Sequence, residues 1–343
     1  MSEPSASDHR PLVSIVIVNY NGAEFLGECL RSVFEQAYNP VEVIVVDNGS
    51  SDSSKEIVRC TYPKARLIHN SSNLGFAQAN NQGVEAADGE IVVLLNNDST
   101  VEREWLTALV AALARPGVAV VTSRVITEGV PPALYLMNGT LNFLGYNIMR
   151  VFADLSQVFF AGGASLVFRK GLVGIPFPGE YFLYQEDVYL SWRMRLLGYD
   201  VRMEQGSIVH HRGSASTRRE AQPLVTFYQE RNRLLNCLVM YERKTLLLLL
   251  PYLVGDLLAT LAASLLAGRK SFLGIVRSYA WIIRNHAWVR GERRKIQSAR
   301  TVPDREVMRL MSSRLVDADN LFARTCNAMS LGYARLAGLS YHD

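Results

Sequence analysis

From Leu12 onward the chain alternates between short runs of β-branched residues and stretches whose apolar positions recur at helical spacing. Val13-Ser14-Ile15-Val16-Ile17-Val18 is the kind of run that is buried on both faces of a parallel sheet. Phe25, Leu26, Cys29, Leu30, Val33 and Phe34 then lie at amphipathic-helix spacing. Val41 to Val46 is a second strand, followed by Asp47-Asn48-Gly49-Ser50-Ser51-Asp52, where Ser51 or Asp52 can cap a helix through Arg59. Arg66–His69, Ile91–Leu95 and Val118–Thr122 read as further strands, Phe76–Ala87 and Trp105–Leu113 as further helices. Such alternation predicts an α/β fold, an open and mostly parallel Rossmann-like sheet with right-handed crossovers.

Ligands of these sheets bind beyond the carboxyl ends of the strands. The polar clusters fall there: Asn19-Tyr20-Asn21, Asp47-Asn48 and Asn96-Asn97-Asp98. The turn after the first strand, Asn19 to Glu24, has one glycine and so lacks the dinucleotide fingerprint G-x-G-x-x-G. Walker, G-x-S-x-G and H-E-x-x-H strings are absent as well. A nucleotide site without a glycine-rich cradle must neutralise a diphosphate otherwise, most simply with a divalent cation held by carboxylate. The length of 343 residues suits one large domain with appendages or two domains, and 49% apolar residues exclude a disordered chain. A net charge of +4 is too mild to point to nucleic acid. The four scattered cysteines read as buried thiols, and the polar start carries no secretory signal, so the cytoplasmic side of a membrane is the expected location.

The strings Val13 to Asn21, Val45 to Asp52, Asn73-Leu74-Gly75-Phe76-Ala77 through Gly83, and Leu94-Leu95-Asn96-Asn97-Asp98 resemble family 2 glycosyltransferases of the GT-A fold. They are most similar to the rhamnosyltransferase-like branch. Phe160 to Ala164, Tyr184-Gln185-Glu186-Asp187-Val188, Arg193 to Tyr199 and His210-His211-Arg212-Gly213 continue the pattern in order, over roughly residues 12–235. The resemblance implies that Asp47 bonds the pyrimidine of a nucleotide sugar, with Val18, Asn19 and Tyr20 forming the base pocket. Asn73, Gly75 and Asn80 would line the ribose and phosphate region, and Asn97 would also contact the donor. Asp98 matches the last position of the D-x-D signature that holds Mg²⁺ or Mn²⁺; Asn96 stands at the first, so a single carboxylate is available. The resemblance implies a histidine ligand late in the domain, for which His210 is expected; adjacent strand residues face opposite ways, so only one of His210 and His211 can serve. Asp187 is expected to be the base that takes the acceptor proton, and Glu186 to contact the acceptor or shape the loop. The segment departs from the branch at Tyr189, where a second acid is usual.

The remaining chain is read as a helical extension: an apolar then basic part, 236–300, and C-terminal helices, 301–343, behind a disordered segment, 1–11. Thr245 to Gly268 holds one charge, Asp256, and is interrupted by Pro251, while Arg269 to Arg300 holds nine basic residues against Glu292. An in-plane or re-entrant helix pair is expected, with Trp281 and Trp288 at the interface and arginines on anionic lipid phosphates. A single span and a buried homodimer helix are the alternatives. The Gln-x-x-Arg-Trp motif of processive synthases is absent, which favours single-sugar transfer. The expected activity is inverting transfer from a dTDP- or UDP-sugar to a lipid-linked or surface-glycan acceptor. A non-catalytic nucleotide-sugar-binding protein and a sugar nucleotidylyltransferase are its rivals.

Overall fold

The computed structural model describes residues 10–127, 139–148, 156–212, 222–316 and 321–339. The expected disordered segment lies outside them except for its last two residues, and there Tyr38 donates its hydroxyl to the Pro11 carbonyl at 2.8 Å. Gly213 also lies outside the described residues.

The amino-terminal half is β1 (Val13–Asn19), α1 (Ala23–Phe34), β2 (Val41–Asp47), α2 (Ser54–Glu56), β3 (Arg66–His69), α3 (Phe76–Ala86) and β4 (Ile91–Asn96). Every residue of β1 is buried, because helices cover both faces. Its alternation divides the core: Val13, Ile15 and Ile17 pack toward α1, and Val16 and Val18 toward α3. Asp52 rather than Ser51 accepts the amides that open the helices, from Ser54 at 3.1 Å and from Ala23 of α1 at 2.9 Å. The helix that begins at Ser54 widens into a π-turn over Ile57–Thr61.

Next come β5 (Ser99–Val101), α4 (Trp105–Leu113), β6 (Val118–Thr127), the paired short strands β7 (Thr140–Leu141) and β8 (Asn147–Ile148), and β9 (Ser165–Arg169). Then follow α5 (Lys170–Val173), α6 (Glu186–Leu196) and β10 (Asp200–His211). The eight-stranded sheet runs β3-β2-β1-β4-β9-β6-β10-β5. It is mostly parallel, but β9 runs antiparallel between β4 and β6. β10 follows β6 in parallel through a register shift between Glu204 and Ile208, then pairs antiparallel with β5, setting His211 opposite Ser99.

The carboxyl-terminal helices are α7 (Gln222–Met240), α8 (Arg243–Leu266), α9 (Arg269–Arg284), α10 (His286–Ala299), α11 (Asp304–Val307) and α12 (Leu321–Leu336). α7 continues without a break past residue 235, and the tail shares one apolar cluster with the α3 and α6 face of the sheet. Last-turn carbonyls of a helix need partners, and α10 supplies them. Arg293 donates to the Leu238 and Tyr241 carbonyls at 2.5 and 2.6 Å, and Gln297 to Val239 and Met240, each at 2.8 Å. Trp281 and Trp288 are half-buried and packed edge to face at 5.9 Å, so they hold α9 to α10 rather than standing out as free anchors. Of the cysteines, Cys29 and Cys237 are buried as expected, whereas Cys60 is exposed and Cys326 half-buried.

Candidate active site

The ends of β1, β2 and β4 lie side by side, with Asn19 opposite Asp47 and Val18 opposite Asn96. Beyond them opens a cleft of about 270 Å³, lined by Val18, Tyr20, Asn73, Gly75, Asn97, Asp98 and Glu186. Three expected donor contacts do not reach it. Asp47 is only 1% exposed, and its oxygens accept from His69 Nδ1 at 2.9 Å, Ser50 N at 3.3 Å and Asn19 Nδ2 at 3.4 Å. Asn19 is enclosed too, its Oδ1 accepting from Asn97 Nδ2 at 2.7 Å. Asn80 turns its amide back on its own helix, donating to the Phe76 carbonyl at 2.9 Å. Asp47 and Asn19 thus tie strand ends together beneath the cleft, and Asn48 is the β2-end side chain that faces it.

Asn48 also builds the wall. Its Nδ2 donates to Asn73 Oδ1 at 2.9 Å, and its Oδ1 accepts from Leu74 N at 3.0 Å. Gly75 completes this turn at φ +86°, where a side chain would strike the Phe182 ring at 2.5 Å. Gly22 is required for a different reason: a Cβ there would lie 2.1 Å from Asn97 Nδ2 and break its bond to Asn19.

On the opposite side, Asp98 Oδ1 lies 3.1 Å from His211 Nε2, and both residues line the cleft. His210 points to the other face of β10 and meets Glu102 at 3.2 Å. The expectation that His210 accompanies Asp98 in the cleft is therefore corrected to His211, because the antiparallel pairing with β5 fixes which of the two faces inward. Asn96 Oδ1 is buried with no hydrogen-bond partner among the described residues, and Asn96 Nδ2 lies 3.4 Å from His211 Nε2. The carboxylate and the orphaned amide oxygen are hard oxygen donors of the kind Mn²⁺ or Mg²⁺ takes, with the His211 imidazole beside them and remaining positions for oxygen ligands to fill. Among the described residues no group of three or more His, Cys, Asp or Glu side chains forms a closed metal cage.

Glu186 and Asp187 open α6, where the amino-terminal dipole favours acids. Their surroundings drive them apart. Glu186 is buried, its Oε2 has no partner among the described residues, and burial together with the neighbouring Asp187 charge pushes its pKa up to about 8. Burial also raises Asp187, but it accepts backbone amides from Gly163 at 3.1 Å and Val188 at 2.8 Å, bonds that favour the ionised form. The amide bonds thus make Asp187 the easier of the two to ionise, while burial favours the protonated form of Glu186. Tyr189 reaches neither cavity beside the pair; it is buried and hydrogen-bonds Glu292 of α10.

The approach to this pair is strained. Phe182, Tyr184 and Gln185 have φ of 59°, 69° and 67°, a left-handed region that costs side-chain-bearing residues energy. Two asparagines of α7, which sequence reasoning missed, hold the loop. Asn232 Nδ2 lies 2.8 Å from the Tyr181 carbonyl, 2.9 Å from Leu183 and 2.8 Å from Tyr184, and Asn236 Nδ2 donates to the Gln185 carbonyl at 3.1 Å. Arg231 adds bonds to the Glu180 and Tyr181 carbonyls at 2.5 and 3.0 Å and sits 4.5 Å over Trp281.

The arrangement has recognisable relatives. The family model described as glycosyl transferase family 2 matches residues 14–174. Glycosyltransferase AglE of Haloferax volcanii is 30% identical over 210 residues, 59% of this chain and 67% of that protein. The chain belongs to glycosyltransferase family 2. Its match to glycosyltransferase GlyG of Streptococcus pneumoniae is 34% identical over 101 residues and spans 34% of that protein's length. Among solved structures it is similar to the mannosyltransferase PcManGT from Pyrobaculum calidifontis in complex with GDP-Man and Mn²⁺ (TM-score 0.51, 19% identity, covering 96% of this chain and 87% of that one). It is similar also to residues 1–349 of S. aureus TarS (TM-score 0.51, 16% identity, covering 95% and 89%). These likenesses bear out the GT-A fold with its helical extension, and the family membership makes the chain a glycosyltransferase.

Proposed function

We propose that the chain moves a single sugar, with inversion and metal assistance, from a pyrimidine-nucleotide diphosphate donor to an acceptor hydroxyl. The donor is a dTDP-rhamnose-like or UDP-sugar, and the acceptor is lipid-linked or part of a surface glycan. The observation that carries the reading is the Glu186–Asp187 pair, split into an acid and an anion where the donor cleft ends. Tyr20, 37% exposed at the cleft, offers a ring to stack a base. Asp98 and His211, with Asn96 beside them, would hold the cation. When bound it would offset the negative charge of the departing diphosphate.

The chain's own groups perform the remaining steps. Asp187 accepts the acceptor proton as the acceptor oxygen attacks the anomeric carbon from the face opposite the diphosphate. Glu186, holding its proton, adds no charge to the donor side. Asn232 and Asn236 keep both carboxyls where the acceptor hydroxyl arrives.

The same proposal places the protein on the cytoplasmic face of a membrane. The outer face of α8 is apolar from Leu247 to Leu266, with Leu247 71%, Leu258 62% and Leu266 92% exposed. Asp256 sits on the opposite face, where its carboxylate accepts from Arg233 Nη2 at 2.7 Å and from Tyr146 at 2.9 Å. A helix tied down this way suits lying in the membrane plane better than crossing it. Exposed Arg243 and Lys244 at one end, and Arg269 and Lys270 past the other, would meet anionic headgroups.

The test is a panel of dTDP-, UDP- and GDP-sugars with Mn²⁺, read as nucleoside diphosphate release and as the anomeric configuration of the product. Release from a pyrimidine donor with inversion is expected. Nucleotide binding with no release from any donor would instead indicate a binding protein.

A further inference from the structure

A second cavity, of about 510 Å³, adjoins the donor cleft, and Tyr184 and Glu186 line both. Asp187 lines this second cavity. Its far wall includes Thr260 of α8 and Ile275 of α9, so the tail helices help to enclose it.

The charge of this cavity is specific. Asp187, Glu186 and Glu230 line it, and among the described residues of its lining the one cationic side chain is Arg233. That cation is already engaged. Arg233 Nε and Nη2 donate to Glu230 at 3.1 and 2.7 Å, Nη2 also to Asp256 at 2.7 Å, and Nη1 to the Leu144 carbonyl at 2.5 Å. A phosphate entering here would face Asp187 with no unneutralised cation among the described residues to balance it, and a buried charge without compensation is disfavoured. A sugar fits the same surface: its hydroxyls can donate to carboxylates and amides, and its C–H faces can rest on Tyr146 and Phe160.

We propose that this cavity is the acceptor site and that it takes an uncharged terminal sugar, with any phosphate of a carrier left outside. The inference rests on the reading of Glu186 and Asp187 as the catalytic pair. In the step it serves, the acceptor oxygen forms a bond to the anomeric carbon while the bond from that carbon to the diphosphate oxygen breaks. The electron pair leaves with the nucleoside diphosphate, and the hydroxyl proton passes to Asp187.

The experiment uses the full chain with Mn²⁺ and whichever donor it hydrolyses. The acceptors are octyl glycosides of glucose, galactose, mannose, rhamnose and N-acetylglucosamine, set against undecaprenyl phosphate and hexose 1-phosphates. Transfer to at least one octyl glycoside and to none of the phosphates is expected. Thr260→Trp, which fills the cavity from α8, should raise the KM for that glycoside at least tenfold, with nucleoside diphosphate affinity as the folding control. Transfer to a phosphate, transfer to none of the glycosides, or an unchanged KM in Thr260→Trp would each overturn the inference while donor hydrolysis leaves the catalytic reading standing. Absence of hydrolysis with every donor would remove both.

Discussion

His211 Nε2 and Asp98 Oδ1 lie 3.1 Å apart in the donor cleft, while His210, the adjacent residue, faces away toward Glu102. This pairing separates two side chains that look interchangeable in the string His-His-Arg. His211→Ala should raise the Mn²⁺ concentration for half-maximal activity by about 10–100-fold, the usual effect of removing a group that holds or orients a metal. His210→Ala should leave it within about twofold, by the ordinary tolerance of exposed sites. Equal effects in a Mn²⁺ titration would contradict the placement.

The acid pair sets a pH dependence. Burial and Asp187 hold Glu186 protonated up to about pH 8, so above that pH a second negative charge appears beside the donor cleft. Donor KM should rise through that range in the wild type and stay flat in Glu186→Gln. The same shift affects folding. Between the ordinary carboxylate range and about pH 8 the native state keeps a proton that the unfolded chain has lost, so stability falls as pH rises. Thermal melts of Glu186→Gln should lose that slope.

Asn232 supports a strained loop through one amide group. Replacing it with Asp leaves the shape but removes the donors facing the Tyr181, Leu183 and Tyr184 carbonyls. A destabilisation of roughly 1–3 kcal/mol is expected for unsatisfied buried groups. The kcat should fall well below wild type at temperatures where the variant is folded, with nucleotide affinity little changed. A kcat equal to wild type would show that the loop holds its shape without Asn232.

The outer face of α8 predicts behaviour on vesicles. Leu250→Glu combined with Leu258→Glu alters two exposed side chains. The wild type should co-sediment with vesicles containing anionic phosphatidylglycerol, less so at high salt, and the double variant should remain in the supernatant. A variant that sediments as before, or whose oligomeric state changes instead, would assign this face to another partner.

Much of the fold was legible because buried parallel strands need continuous β-branched runs, and β1, β2 and β4 have them. The direction of β9 was not, since Ser165-Leu166-Val167-Phe168 reads alike in either sense and only its neighbours β4 and β6 set it antiparallel. That Asp98 and Glu186 would line one cleft was legible in the order of the motifs. The fate of Asp47 was not, because it depends on His69 reaching it from a neighbouring strand. The choice between His210 and His211 likewise depended on pairing between β10 and β5, residues far apart in the chain. Asn232 and Asn236 carry no motif; they are an i, i+4 pair on α7 whose helical spacing hinted at a shared face and whose target lay elsewhere.

Asp187→Asn tests the catalytic assignment most directly. It keeps the size of the side chain while removing the group that accepts the proton. With nucleoside diphosphate affinity and thermal stability close to wild type, transfer should fall by about 10²–10⁴-fold, the range for loss of a general base. Wild-type transfer by a folded, nucleotide-binding Asp187→Asn protein would contradict the role given to the Glu186–Asp187 pair.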